Sequence, residues 1–167
     1  MALLARFLYP PIYSLLILAY APLYIYRILL HRKGRLSSLF DRLGKLPSPL
    51  LTPSEREGPR IWLHAASVGE VTSIRTLVNQ LFERPAKIFI STTTETGQQI
   101  AKDLYGEQAT VFFFPLDWKW VYRRYLRAIS PDLVVLTETE LWPSFITSLT
   151  EHNIPFCLLY TSDAADE

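Results

Sequence analysis

A chain of 167 residues, 49% hydrophobic and 20% charged, has room for one packed domain plus an appendage, and this composition argues against wholesale disorder. The net charge of +1 gives no electrostatic basis for binding nucleic acid. The one cysteine, Cys157, excludes an internal disulfide, and within Phe156-Cys157-Leu158-Leu159 it reads as a small core residue.

Taken in chain order, Phe7 to Tyr26 carries no charge and is rich in Leu, Ile, Tyr and Ala. That is close to the ~20 residues a helix needs to cross a bilayer. Arg27, Arg32, Lys33, Arg35, Arg42 and Lys45 follow, a basic flank that keeps the C-terminal side in the cytoplasm. Residues 1–30 are therefore expected to form a membrane-anchor helix, with Tyr9, Tyr13, Tyr20, Tyr24 and Tyr26 suited to the membrane interface. A cleaved signal peptide is disfavoured, because the charged n-region is minimal and no small-x-small site precedes the basic cluster. Pro10, Pro11 and Pro22 leave open a helix lying in the interface instead of crossing. Residues 31–59 are basic and then proline-rich, and read as a linker.

From Arg60 onwards strands and helices alternate. Strands are expected at Ile61–Leu63, Lys87–Ser91, Thr110–Phe114, Leu133–Leu136 and Ile154–Leu159. Helices are expected at Glu70–Glu83, Glu95–Tyr105, Trp118–Ile129 and Pro143–His152. The alternation implies right-handed βαβ units and a parallel sheet covered on both faces, an α/β Rossmann-like domain over 60–159. Four loops then share one edge of the sheet: 65–69, 92–97, 115–117 and 137–142.

Those loops hold the candidate site. In His64-Ala65-Ala66-Ser67-Val68-Gly69-Glu70 a carboxylate stands at a strand-to-helix turn, Ser67 is a good N-cap, and Gly69 admits close approach of a backbone or ligand. Ser67-x-x-Glu70 equally fits a capping box. Thr92-Thr93-Thr94-Glu95-Thr96-Gly97 offers hydroxyls and helix-terminal N–H groups to sugar or phosphate, with Thr94, Thr96 and Gly97 as candidates. Here too a capping box, Thr92-x-x-Glu95, is the alternative. Pro143 belongs at the first helical position, which leaves Glu138 and Glu140 in the preceding loop. Two carboxylates so placed repel each other unless a hydroxyl-rich or cationic ligand is present, a solvated pair being the alternative. His31, His64 and His152 lack metal-like spacing, and His64 reads as a structural hydrogen-bonding residue. No G-x-G-x-x-G or P-loop pattern follows the first strand. Lys119, Arg123, Arg124 and Arg127, interleaved with aromatics, suit either a solvated face or anionic lipid.

An apolar N-terminal segment with a basic flank, then HAASVGE, STTTETG, FFPLDW and TETELWP in that order, resembles the N-terminal half of the 3-deoxy-D-manno-octulosonic acid (Kdo) transferases of lipopolysaccharide assembly. The resemblance implies a GT-B glycosyltransferase, two Rossmann-like domains across a cleft, the first binding the lipid A precursor and the second CMP-Kdo. It implies Glu70 as general base, Glu138 as a second essential carboxylate, and Ser67 and Gly69 as the shapers of the base's loop. With Thr94, Thr96, Gly97 and Glu140 as acceptor-binding candidates, the implied site needs no cofactor and no metal. Membrane lipids are the further implied partner, at the cytoplasmic face of the bacterial inner membrane. After Leu159 the chain departs from the family pattern, so residues 160–167 are expected to be a non-native tail and the chain, lacking a donor domain, inactive alone. A lipid-binding module without catalysis, and a transferase for another lipid-linked sugar, are the rival readings.

Overall fold

The computed structural model describes residues 2–30, 35–51, 58–138 and 140–160. The elements are α1 (Ala2–Leu30), α2 (Arg35–Arg42), α3 (Ser48–Leu51), β1 (Arg60–His64), α4 (Val68–Ser73), α5 (Arg75–Phe82), β2 (Lys87–Thr92), α6 (Glu95–Tyr105), β3 (Ala109–Phe113), α7 (Lys119–Ile129), β4 (Leu133–Thr137), α8 (Pro143–Glu151) and β5 (Phe156–Leu159). All four strand pairings are parallel and the order is β3-β2-β1-β4-β5. This is the expected Rossmann-like sheet. Strand order reverses between β1 and β4, so a crevice opens at their carboxyl ends.

Alternating strand residues feed two cores, one on each face. Ile61, Leu63, Ile88 and Ile90 pack with Val71, Val78, Ala101 and Tyr105 of α4, α5 and α6, and with Ile74 between α4 and α5. Trp62, Phe89, Phe112, Val134 and Leu136 pack on the other face with Tyr122, Tyr125, Phe145 and Leu149 of α7 and α8. Trp62 is fully buried, with ring centroids of Phe112, Tyr125 and Phe145 5.0–6.3 Å away. Its indole N–H donates to Ser91 Oγ at 2.8 Å, so the polar end of this large side chain is satisfied.

Several expectations are corrected. The helix expected over 70–83 is two, α4 and α5, meeting at Ile74. Thr72 Oγ1 and Ser73 Oγ bond back to the carbonyls of Val68, Gly69 and Glu70, competing with the regular ladder at that junction. The expected linker 31–59 holds α2 and α3, and Leu50 enters the core. Its residues 31–34 and 52–57, including His31, lie outside the described residues, as does the tail beyond Tyr160. Arg42, counted with the basic flank, turns inward. Its guanidinium donates to the Thr93 carbonyl and lies 4.6 Å from the Phe113 ring centroid. Cys157 is exposed on the edge strand β5 and is not a core residue.

The anchor is the largest correction. Residues 2–30 do form a helix, but no helix among the described residues is long and apolar enough to cross a membrane. Tyr, Ser and three Pro dilute the apolar run, and each Pro removes a backbone donor that hydrocarbon cannot replace. One side of α1 is docked on the domain. Tyr13 Oη accepts the Asp117 N–H at 3.2 Å, and Ser14 Oγ accepts the Trp118 indole N–H at 3.1 Å. Leu8, Ile12, Leu15, Leu16 and Leu18 point outward, 50–69% exposed.

Trp62 anchors one whole core, so Trp62→Ala is expected to cost about 3–5 kcal/mol, read from the urea midpoint of the chain in mild detergent. An exposed control such as Leu104→Ala is expected to change stability by less than about 0.5 kcal/mol.

A candidate acceptor site at the carboxyl ends of β1 and β4

Parallel pairing sets His64, the last residue of β1, against Leu136 of β4. Thr137 is one residue further on, level with the turn that follows β1. Its Oγ1 lies 2.9 Å from the His64 carbonyl and 2.6 Å from Glu70 Oε2. The single hydroxyl proton is shared between these two acceptors. The Ala66 N–H also donates to Glu70 Oε2, at 2.8 Å, and Ser67 Oγ donates to Oε1 at 2.8 Å. Glu70 is therefore fixed by a backbone amide, the cap hydroxyl and a hydroxyl from the neighbouring strand.

The capping reading of Glu70 is correct in part. Ser67 is the N-cap of α4 and its Oγ accepts the Glu70 N–H, though at a long 3.4 Å. A capping box explains contacts to Ser67 and to the preceding backbone. It does not explain the shortest contact, from Thr137, 67 residues away in sequence. The carboxylate stays partly exposed, and an ideal Cβ built on Gly69 meets only Ser67 Oγ, at 4.0 Å. A ligand thus has open room above the turn.

The Thr-rich turn supports this arrangement from below. Thr94, not Thr92, is the N-cap of α6, its Oγ1 accepting the Gly97 N–H at 3.0 Å. Thr92 is buried and donates to Gln98 Oε1 at 2.6 Å. Gly97 is required by close approach, because a Cβ there would stand 2.8 Å from Thr94 Oγ1 and 3.3 Å from the Ser67 carbonyl carbon. Of the three candidates in this loop, Thr94 and Gly97 build the turn and Thr96 is exposed to solvent.

In the β4–α8 loop, Pro143 does open the helix and both glutamates precede it. Glu138 is half-buried with φ of +56°, a left-handed conformation that costs a non-glycine residue about 1–2 kcal/mol. Such strain concentrates at functional sites. The Glu138 N–H is tied to the Leu159 carbonyl at 3.0 Å. Glu140 is not a free ligand-binding group: Oε2 accepts the Trp142 indole N–H at 2.6 Å and lies 3.8 Å from His64 Nε2, beyond hydrogen-bond length but within electrostatic reach. His64 is fully buried, stacks on Phe114 at 3.9 Å, and its Nδ1 lies 3.0–3.1 Å from the Ser91 hydroxyl and carbonyl oxygens. Its Nε2 has no hydrogen-bond partner and faces Glu140. Sequence reasoning missed Thr137 as a member of the site, and it missed Asp117. The buried Asp117 carboxylate accepts the Ser144 and Phe145 N–H groups at 3.1 Å each and so caps α8. Among the described residues no group of three or more His, Cys, Asp or Glu is placed to hold a metal. Concavities of about 720 and 960 Å³ open at the opposite, amino end of the strands, remote from these carboxylates.

Two outcomes follow from this geometry. Thr137→Val strips a shared donor from Glu70 and the His64 carbonyl, and is expected to cost about 1–3 kcal/mol in urea unfolding. The His64 imidazole chiefly holds the Glu140 carboxyl below its ordinary range, with burial opposing and the Trp142 indole assisting. Because the folded value is depressed, the stabilisation is complete above the unfolded value of about 4.3 and is lost as pH falls through the lower folded value. Glu140→Gln is expected to flatten the fall of the urea midpoint below about pH 4.3.

The chain is similar along much of its length to proteins of known type. The family model described as 3-deoxy-D-manno-octulosonic-acid transferase (kdotransferase) matches residues 37–161. The 3-deoxy-D-manno-octulosonic acid transferase of Chlamydia trachomatis is 36% identical over 130 residues, 76% of this chain and 29% of that protein. That of Haemophilus influenzae is 38% identical over 100 residues, 59% of this chain and 23% of that protein. A bifunctional glycosyltransferase/methyltransferase of Fusobacterium nucleatum is 40% identical over 96 residues, 56% of this chain and 15% of that protein. The matched stretch is thus less than a third of each relative's length. Glu70, Glu138 and the loops that hold them all lie inside the matched residues, and the chain belongs to the Kdo transferase family of glycosyltransferases.

Proposed function

We propose that the protein to which this chain belongs transfers Kdo from CMP-Kdo to a lipid A precursor, and that the β1/β4 crevice receives the acceptor. The observation that carries this reading is the Glu70 carboxylate, fixed by three donors from two chain segments while remaining open toward the crevice. A hydroxyl nucleophile needs a base held within hydrogen-bond reach. Glu70 takes the proton of the acceptor hydroxyl as that oxygen bonds to the anomeric carbon of Kdo. The bond from that carbon to the phosphate of CMP breaks, and CMP leaves with the electron pair. Glu138, in its strained setting on the other wall, is the second carboxylate. The turn of Ser67, Gly69, Thr94 and Gly97 shapes the floor, Thr96 offers an exposed hydroxyl, and Glu140 braces the loop.

The donor is bound by a second Rossmann-like domain in the GT-B arrangement, outside these residues. No cofactor or metal takes part in this reading. The inner face of α1 meets Trp118 through Tyr13 and Ser14, Trp118 stacks on the exposed Trp120 at 6.1 Å, and Arg123, Arg124 and Arg127 of α7 are exposed. An exposed apolar helix face beside exposed arginines suits a membrane-surface helix on anionic lipid, with each basic residue near the surface contributing about 1 kcal/mol. In this reading the enzyme works at the cytoplasmic face of the inner membrane, with α1 lying on the lipid surface.

The test is a chimera in which residues 1–160 replace the matching part of the Haemophilus influenzae relative. Kdo transfer to a tetra-acylated lipid A precursor is expected, unchanged by a metal chelator. Glu70→Gln keeps the capping contacts but accepts no proton, so the rate is expected to fall at least about 100-fold with unaltered melting. A folded chimera that binds the precursor without transfer favours the lipid-binding module, and transfer of a different sugar favours the other rival. Near-normal turnover by Glu70→Gln removes Glu70 from the base's role.

A further inference from the structure

Helix α1 has two faces with different work. Tyr9, Tyr13 and Ser14 are half-buried against the domain, whereas Leu8, Ile12, Leu15 and Leu16 are exposed. The inner face meets the loops around the candidate site and not the body of the sheet. The Tyr13 ring lies edge-on to Trp118 and to Trp142, with centroids 6.2 and 6.4 Å apart. Its hydroxyl accepts the N–H of Asp117. Asp117 is 1% exposed and its two carboxylate oxygens hold the first amides of α8, whose N-cap residue Trp142 supplies no side-chain bond. The buried Asp117 carboxylate lies close enough to Tyr9 and Tyr122 to raise the pKa of both hydroxyls, although burial is the larger cause for each.

The far side of Trp142 is the site itself. Its indole N–H donates to Glu140 Oε2 at 2.6 Å, and Glu140 faces the unpartnered Nε2 of buried His64. A continuous set of contacts therefore runs from α1, through Tyr13 and Asp117, to Trp142 and Glu140 and on to the end of β1. We propose that α1 is a positioning element of the acceptor site: Tyr13 and Asp117 set the Trp142–Glu140 arm of the β4–α8 loop in the orientation that faces His64. A helix that only tethers the domain needs no such contacts. With the Tyr13 ring gone, Trp142 loses its edge-on partner and the indole is free to leave Glu140, so the wall carrying Glu138 loosens with it. This inference rests on the reading of the crevice as the lipid acceptor's site.

The test uses the whole chain in zwitterionic detergent, labelled with 5-fluorotryptophan. Its four tryptophans give four fluorine resonances, with Trp142 assigned by Trp142→Phe and Trp62 reporting the core. Tyr13→Ala is expected to shift the Trp142 signal, leave the Trp62 signal in place, and weaken binding of a tetra-acylated disaccharide bisphosphate at least tenfold. Tyr13→Phe keeps the ring and is expected to restore the Trp142 signal and bring affinity within twofold of the parent chain. Leu15→Ala, on the outer face, is expected to leave the Trp142 signal unmoved. If Tyr13→Ala also shifts Trp62, Asp117→Asn replaces it, since Asn keeps one acceptor for α8. A Trp142 signal unmoved by these inner-face changes, or equally moved by Leu15→Ala, overturns the proposal. Failure of the parent chain to bind the disaccharide overturns the acceptor reading instead, and the Trp142 signal then decides the positioning claim by itself.

Discussion

The hydrogen bond from Thr137 to Glu70 joins the two walls of the crevice, and the rest of the site depends on what makes it possible. It requires β4 to lie beside β1, in parallel, with His64 opposite Leu136. A shift of that register by one residue would turn Thr137 to the other face of the sheet and leave Glu70 with local contacts only. The register is enforced by the cores, because Val134 and Leu136 must enter the aromatic face while Val135 enters the aliphatic one. Large-scale burial thus fixes a 2.6 Å contact that orients one carboxylate.

Around that contact the molecule reuses helix ends. Ser67 caps α4, Thr94 caps α6, and Asp117 caps α8 from a distant loop. Each cap lies at the same edge of the sheet, so the positive ends of three helices converge beside the crevice. At each of these ends the cap side chain accepts from the first free amides. Through Tyr13 and Asp117, helix α1 and the cap of α8 belong to one connected structure.

Much of this was legible from local sequence. Apolar runs alternating with helical periodicity gave the five strands and their order along the chain, and Pro143 correctly opened α8 so that Glu138 and Glu140 stayed in the loop. HAASVGE disclosed its own cap and carboxylate. What was not legible depends on contacts across long stretches of chain. Tyr13 meets Asp117 across 104 residues, and Asp117 reaches α8 across 27. Neither partner carries a local signal, and the uncharged run of α1 read as a span because its inward tyrosines look the same as interfacial ones. Four consecutive hydroxyl residues from Ser91 to Thr94 left the capping residue of α6 open, although its start at Glu95 was read correctly, and the cap is Thr94 with Gly97 packed on the Ser67 turn. Arg42 was counted with the basic flank, although an aromatic ring and a free carbonyl were waiting for it in the fold.

The central claim is that the acceptor lies between the ends of β1 and β4 with its hydroxyl at Glu70. Amide chemical shifts of the chain, titrated with a tetra-acylated lipid A precursor in detergent, test it most directly. The account predicts that the largest changes fall at Ser67, Gly69, Glu70 and the loop from Thr137 to Trp142. Changes centred on Lys102 to Thr110, at the opposite end of the sheet, would contradict it.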